Sequence, residues 1–264
     1  MKIAVTGKGG VGKTTLSGML TCLLASRGRQ VVALDADPDA NLASCLGVPV
    51  DEPITPISEM TDLIEQRTGS KDNYGGYFKI NPRVDDIPEQ FARHMGNIRL
   101  LVLGGVRQGG AGCICPATAL IKALLSHLVL ARDGAVVMDM EAGIEHLGRA
   151  TAQSMDALLV VVTSSPWSVE TAHRIKTLAG QVGLRRLFAV ANGITDQAEI
   201  EPIRSRLGDI PLIGQIRHDP RLVSGVVTLI DGEPTPTDAC RDQQAGATAI
   251  LDYLKKTLQE GPQI

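Results

Sequence analysis

The sequence predicts an α/β fold: a single-domain, three-layer arrangement with a mostly parallel central sheet and helices on both faces. Three observations predict it. Short, nearly continuous apolar runs recur at residues 3–5, 31–37, 98–103, 134–139, 157–163 and 186–191, and such runs suit strands covered on both sides. Helix-length stretches separate most of them, as parallel neighbours require. Several runs end on carboxylates, at the strand ends where open α/β sheets bind ligands.

The first run leads directly into GKGGVGKTT, Gly7 to Thr15, and then into a helix over 16–25. Strand, glycine-rich turn and helix is the setting in which G-x-x-x-x-G-K-[ST] binds nucleotide phosphates, and it makes the fold a P-loop NTPase. Gly7, Gly9, Gly10 and Gly12 let the amides of the loop, Val11 included, turn inward on phosphate oxygens. The helix starting near Lys13 adds its positive end. Lys13 is expected on the β- and γ-phosphates, the Thr14 hydroxyl on Mg²⁺, and Thr15 beside it. Lys8 gives the loop a second lysine. It either reaches phosphate, including that of a nucleotide on a facing subunit, or is a solvated surface side chain.

The second run ends in DADPDANL, with Asp35 and Asp37 at the strand end. Either these acids serve the phosphates, Asp37 orienting the attacking water and Asp35 holding a Mg²⁺-bound water, or they cap a turn. Residues 48–97 hold three early prolines, a short helix expected at 57–67, and KDNYGGYFKINP, a hairpin or ordered loop. Too little contiguous apolar sequence stands there for a separate core. The stretch therefore reads as a mobile insertion over the site within one domain spanning 1–264.

After the run at 98–103 comes a glycine-rich loop that delivers Cys113 and Cys115, then Pro116 and a helix over 117–131. Thiols at a helix N-terminus are biased toward thiolate, the form that binds soft and borderline metals. Two sulfurs do not complete a four-ligand site, but two copies on a two-fold axis would supply four. The alternative is that both cysteines are small helix-start residues. Cys22, Cys45 and Cys240 stand apart and read as core thiols. The next run ends at Asp139, expected to hold Mg²⁺ through water. Gly143 follows, where the backbone can approach the γ-phosphate, and then His146, more readily structural than a ligand. Asn192 ends the run at 186–191 and could both donate to and accept from an adenine edge. Residues 243–259 form an amphipathic packing helix. Its only basic signal, Lys255 and Lys256, does not make a membrane-surface helix.

GKGGVGKTT resembles the variant P-loop of the ATPases that include septum-site and chromosome-partition ATPases, arsenite-pump ATPases and the nitrogenase iron protein. The resemblance implies that Lys8 reaches across a nucleotide-sandwich homodimer, that Asp37 positions water (Asp39 if the register differs), and that Asn192 binds the base. Gly193 departs from the Lys or Arg of many relatives. Residues 210–222 resemble the family's last strand and following loop, with Pro220 and its neighbours packing on the base. The combination with GGAGCICPA and VVMDMEAGIEHLGR looks like the accessory ATPases that mature carbon monoxide dehydrogenase, with cousins serving acetyl-CoA synthase. That likeness implies ATP/ADP with Mg²⁺, one Ni²⁺ or Zn²⁺ shared per homodimer through Cys113 and Cys115, and one of those enzymes as client. Two rivals carry less. An iron–sulfur electron-transfer ATPase wants a second cluster cysteine after the second switch, and none stands between Asp139 and Cys240. A DNA- or membrane-positioning ATPase wants a basic field, whereas the net charge is −3; nucleic acid and membrane are not expected partners. The sequence enters its first strand at once, without a signal peptide, and holds no membrane-length apolar run. A cytoplasmic location is expected, where five cysteines do not form a disulfide framework.

Overall fold

The computed structural model describes residues 1–70, 78–104, 115–130, 134–143, 149–184, 186–230 and 232–259. Among them, eight strands form one sheet: β1 (Lys2–Gly7), β2 (Val31–Ala36), β3 (Arg93–Met95), β4 (Ile98–Val102), β5 (Ala135–Met140), β6 (Ala157–Val162), β7 (Leu187–Ile194) and β8 (Leu212–Arg217). Their spatial order is β3-β4-β2-β5-β1-β6-β7-β8, and only the β3–β4 pair is antiparallel. A separate hairpin joins β9 (Val227–Ile230) to β10 (Glu233–Pro236). The helices are α1 (Lys13–Ser26), α2 (Leu42–Cys45), α3 (Thr61–Thr68), α4 (Ile87–Gln90), α5 (Pro116–Leu130), α6 (Arg149–Ser154), α7 (Pro166–Val182), α8 (Ile200–Leu207), α9 (Asp238–Asp242) and α10 (Gln244–Gln259).

The apolar runs are continuous because both faces of each strand are covered. In β1, Ile3 and Val5 join one buried cluster with Leu16, Leu20, Ile250 and Leu251 of α1 and α10. Ala4 faces the other cluster, with Leu120 and Leu124 of α5 and Val169 and Ile175 of α7. Each buried Leu or Ile contributes about 1.5–3 kcal/mol, and a one-residue slip would exchange the faces, so register is strongly set. Ile57, Leu63, Ile64, Val84 and Ile87 join the second cluster. The stretch between β2 and β4 therefore packs on the common core.

β1 lies between β5 and β6, while the chain leaving it crosses β5 to reach β2. Connections thus depart from the middle of the sheet in opposite directions, which opens a crevice at the carboxyl ends of β1, β2 and β5.

Several boundaries differ from expectation. The 57–67 helix is a 3₁₀ turn, Ile57–Glu59, followed by α3. α7 begins at Pro166, where Ser165 and Pro166 supply an N-cap position and a preset first turn. β7 runs on to Ile194, so Asn192 sits inside the strand, beside a register shift against β8. The expected helix over 243–259 is α10, and the short α9 stands directly before it. β3 has three residues and β10 carries two prolines, Pro234 and Pro236, so neither offers an alternating pattern to read.

Candidate functional site

The P-loop leaves the central strand at Gly7 and closes onto α1 at Lys13. Two glycines are required by their surroundings. Gly7 has φ 145°, and a Cβ there would lie 2.5 Å from the Val161 carbonyl oxygen of β6. Gly12 has φ 90°, and a Cβ would run into the Asn192 amide. Gly10 also takes positive φ, whereas Gly9 does not and a Cβ there would meet nothing within 4 Å. The expectation that all four glycines escape a Cβ restriction is thus corrected at Gly9. Val11 is buried, Thr15 half-buried and Lys8 exposed.

β2 and β5 deliver Asp35 and Asp139 as direct neighbours in register. Both are fully buried. Asp139 accepts from Thr14 Oγ1 at 2.6 Å and Ser17 Oγ at 3.1 Å. Asp35 accepts from the Leu42 amide at 2.8 Å and the Asp37 amide at 3.2 Å, so it shapes the turn into α2. Burial pushes the Asp35 carboxyl up to about 7, with the neighbouring Asp139 adding to the effect against the two amide bonds. Burial also pushes Asp139 up to about 6, opposed by the Thr14 and Ser17 hydroxyls and Lys13. Acids held this way take a hard divalent cation readily, because it restores the countercharge that water would have supplied. Thr14 Oγ1 and Asp139 are the oxygens that fit Mg²⁺. Asp35 accepts one backbone amide on each oxygen, with acceptor capacity left on both.

Lys13 Nζ lies 3.6 Å from Asp37 Oδ2, and both side chains are largely buried. The lysine expected on the phosphates and the acid expected to position water therefore pair with each other. Asp37 Oδ1 also accepts from the Asp39 amide at 3.1 Å, while Asp39 itself is exposed. A cleft of about 580 Å³ opens over these groups, lined by Gly9, Gly10, Gly12, Lys13, Thr14 and Thr15 on one side and Asp37, Asn41, Ser44 and Leu222 on the other. That is the size range of small-molecule and cofactor sites. Asn192 Nδ2 donates to the Val11 carbonyl at 2.8 Å, bracing the P-loop from β7. Pro220 is exposed, and its neighbours Leu222 and Gly225 line the cleft.

Sequence reasoning missed two contributors. Ser17 stands three residues after Thr14, on the same helix face, and that spacing could have revealed it. Cys45 is buried as expected of a core thiol, but it also lines the cleft. Its Sγ donates to the Thr14 carbonyl at 3.4 Å. Burial pushes its thiol up to about 12, so it stays protonated.

Gly143 is buried just past β5 and its amide donates to the Glu141 carbonyl at 2.7 Å. Thr6 Oγ1 donates to that same carbonyl at 2.6 Å, tying the segment to β1. Cys115 immediately precedes α5, half-buried, with Sγ 3.0 Å from Thr118 Oγ1. Cys113 and His146 lie outside the described residues. Among the described residues, no three His, Cys, Asp or Glu side chains are grouped to hold a metal ion, and no helix is long and apolar enough to cross a membrane.

The buried acids set a pH dependence. Their folded pKa values, about 7 and about 6, lie above the ordinary carboxylate value. The folded state therefore binds protons more readily, and the contribution is fully present below about pH 4 and lost progressively as pH rises to the folded values of about 6 and about 7. In nucleotide-free protein, Asp35→Asn, which still accepts from Leu42, should gain melting temperature relative to wild type as pH rises from 5.5 to 8. A difference independent of pH, read by calorimetry, would contradict this.

Residues 2–227 match the family model of the CobQ/CobB/MinD/ParA nucleotide binding domain. The carbon monoxide dehydrogenase accessory protein CooC of Rhodospirillum rubrum is 43% identical over 256 residues, covering 95% of this chain and 96% of that protein. An uncharacterized ATP-binding protein of Methanocaldococcus jannaschii is 43% identical over 227 residues, 84% of this chain and 87% of that one. In fold, the chain is similar to MinD in the MinC:MinD cell division complex of Aquifex aeolicus, with a TM-score of 0.66 at 22% identity, covering 100% of this chain and 98% of that one. It is also similar to a ParA family ATPase of Chlorobium tepidum, with a TM-score of 0.61 at 15% identity, covering 99% and 94%.

Proposed function

Because the chain belongs to the CobQ/CobB/MinD/ParA nucleotide-binding family and is a P-loop ATPase of the CooC type, we propose that it is an ATP-driven metal chaperone. Two copies close on ATP, share one Ni²⁺ or Zn²⁺ between Cys113 and Cys115 of each, and release it after hydrolysis to carbon monoxide dehydrogenase or acetyl-CoA synthase. The metal ion is cargo, not a resident cofactor.

The observation that carries the reading is the Lys13–Asp37 pair at 3.6 Å. An incoming triphosphate offers Lys13 a stronger partner, through charge-assisted bonds to phosphate oxygens. Asp37 is then released to orient water against the γ-phosphate. Thr14 and Asp139 would hold Mg²⁺, which would neutralise charge on the triphosphate. Lys8 of each copy adds a cation from across the interface. Exposure of Lys8, Gly9 and Gly10 suits a face that meets a second copy.

The root of the cysteine loop supports coupling to this chemistry. The Leu103 amide donates to the Asp35 carbonyl at 2.8 Å, and the Ser58 amide to the Leu103 carbonyl at 3.1 Å. Gly104, with φ 78°, leaves no room for a Cβ between Pro56 and Ser58. These bonds tie the end of β2, beside the phosphate site, to the residues from which the C-x-C loop departs. A change in subunit spacing would alter the distance between the two sulfur pairs, which is reciprocal coupling of nucleotide and metal.

Light scattering tests the two-copy step. The mass should double with a nonhydrolysable ATP analogue and Mg²⁺ and stay single with ADP. Lys8→Ala should stay single with either. An unchanged wild-type mass with the analogue would overturn the proposal.

A further inference from the structure

The chain has a single tryptophan, and it stands 66% exposed at the second residue of α7. Lys8 Nζ lies over its ring, 6.0 Å from the centroid. The sheet brings the two together. β1 and β6 pair in parallel with Gly7 opposite Val161, so the residues that follow each strand emerge side by side. The turn that presents the indole is tightly held. Ser168 is buried. Its Oγ accepts from the Thr163 amide at 3.0 Å and donates to the Ser165 carbonyl at 2.7 Å. Thr171 Oγ1 donates to the Trp167 carbonyl at 2.9 Å. A large aromatic ring carried in the open on a well-anchored turn, with an exposed lysine over it, offers that cation a platform.

We propose that Trp167 is a positioning residue for Lys8: it holds the ammonium beside the mouth of its own P-loop until a triphosphate on a second copy takes it. The proposal rests on the two-copy reading above. An exposed cation–π contact biases Lys8 toward the ring by only about two- to fivefold. That is enough to give the side chain a resting place and too little to compete with phosphate, whose charge-assisted hydrogen bonds are stronger. The contact belongs to the open state alone. Removing it therefore destabilises the open state and shifts the equilibrium toward closure by the same factor for each copy.

Because one tryptophan produces all the indole emission, the contact can be read directly. In full-length protein without nucleotide, Lys8→Met should change Trp167 emission, since it removes the charge from the ring. In wild type, the nonhydrolysable ATP analogue with Mg²⁺ should change the emission in the same direction. Light scattering on the same samples reads closure separately. Trp167→Ala should double its mass at about two- to fivefold lower analogue concentration than wild type, and Trp167→Phe, which keeps a ring face, should return toward the wild-type midpoint. Identical nucleotide-free emission of wild type and Lys8→Met overturns the inference whether or not the protein dimerises. So does a Trp167→Ala midpoint equal to or above that of wild type. If mass never doubles, the two-copy reading fails by itself, and the nucleotide-free spectra still decide whether Lys8 rests on the ring.

Discussion

Asp37→Asn binds ATP at least as tightly as the unchanged protein and hydrolyses it about 10²–10⁴-fold more slowly. Asparagine keeps the size of the side chain and an oxygen for the Asp39 amide. It loses the negative charge that faces Lys13, so Lys13 is freer for phosphate, while the group that aligns and polarises the attacking water is gone. Asp39→Asn is the comparison. Asp39 is exposed, and its variant should keep turnover within a few-fold of wild type. Phosphate release under single-turnover conditions, with nucleotide affinity measured separately, reads both. Full hydrolysis by Asp37→Asn, or its loss in Asp39→Asn alone, would move the role to the other acid.

Gly12→Ala should abolish nucleotide binding at concentrations that saturate wild type. The residue sits at φ 90°, and its Cβ would be driven into the Asn192 amide. Left-handed strain costs about 1–2 kcal/mol in a residue with a side chain, and losing the Asn192 bond to the Val11 carbonyl adds about 1 kcal/mol. Together they should lower the melting temperature by about 4–12 °C. The larger effect is on binding, because the amides of the loop no longer converge on one anion site. Gly9→Ala is the internal reference, since a Cβ there meets nothing and the melting temperature should hold within about 1 °C. A Gly12→Ala protein that melts and binds like Gly9→Ala would contradict the assignment.

The nucleotide end of the site was legible because its chemistry is local. Glycines, Lys13 and Thr14 occupy one short stretch whose strand–turn–helix setting can be read from the pattern, and Asp35 and Asp139 announce themselves as acids closing apolar strands. Their division of labour was not legible. Register across β2 and β5 makes them neighbours, and hydrogen bonding then gives Asp139 to Thr14 and Ser17 but Asp35 to the backbone of the α2 turn. Asn192 illustrates the same limit, since its amide meets Val11 across the sheet, at a sequence separation no motif spans. The β9–β10 hairpin escaped notice because its strands are four residues each and packed beside the turn after α2, where Gly47 leaves room for Val227 and Leu229. Trp167 stood in plain view in SSPW, but only the parallel pairing of β1 and β6 puts it beside Lys8.

The central claim is that triphosphate occupancy determines whether sulfurs from two copies share one ion. Nickel and zinc binding to anaerobic protein, measured with the nonhydrolysable ATP analogue, with ADP and without nucleotide, tests it most directly. The account predicts one tightly held ion per two chains in the ATP-like state, weakened with ADP and lost in Cys113→Ser or Cys115→Ser. Equal affinity and stoichiometry in all three nucleotide states, or metal retained by both serine variants, would contradict it.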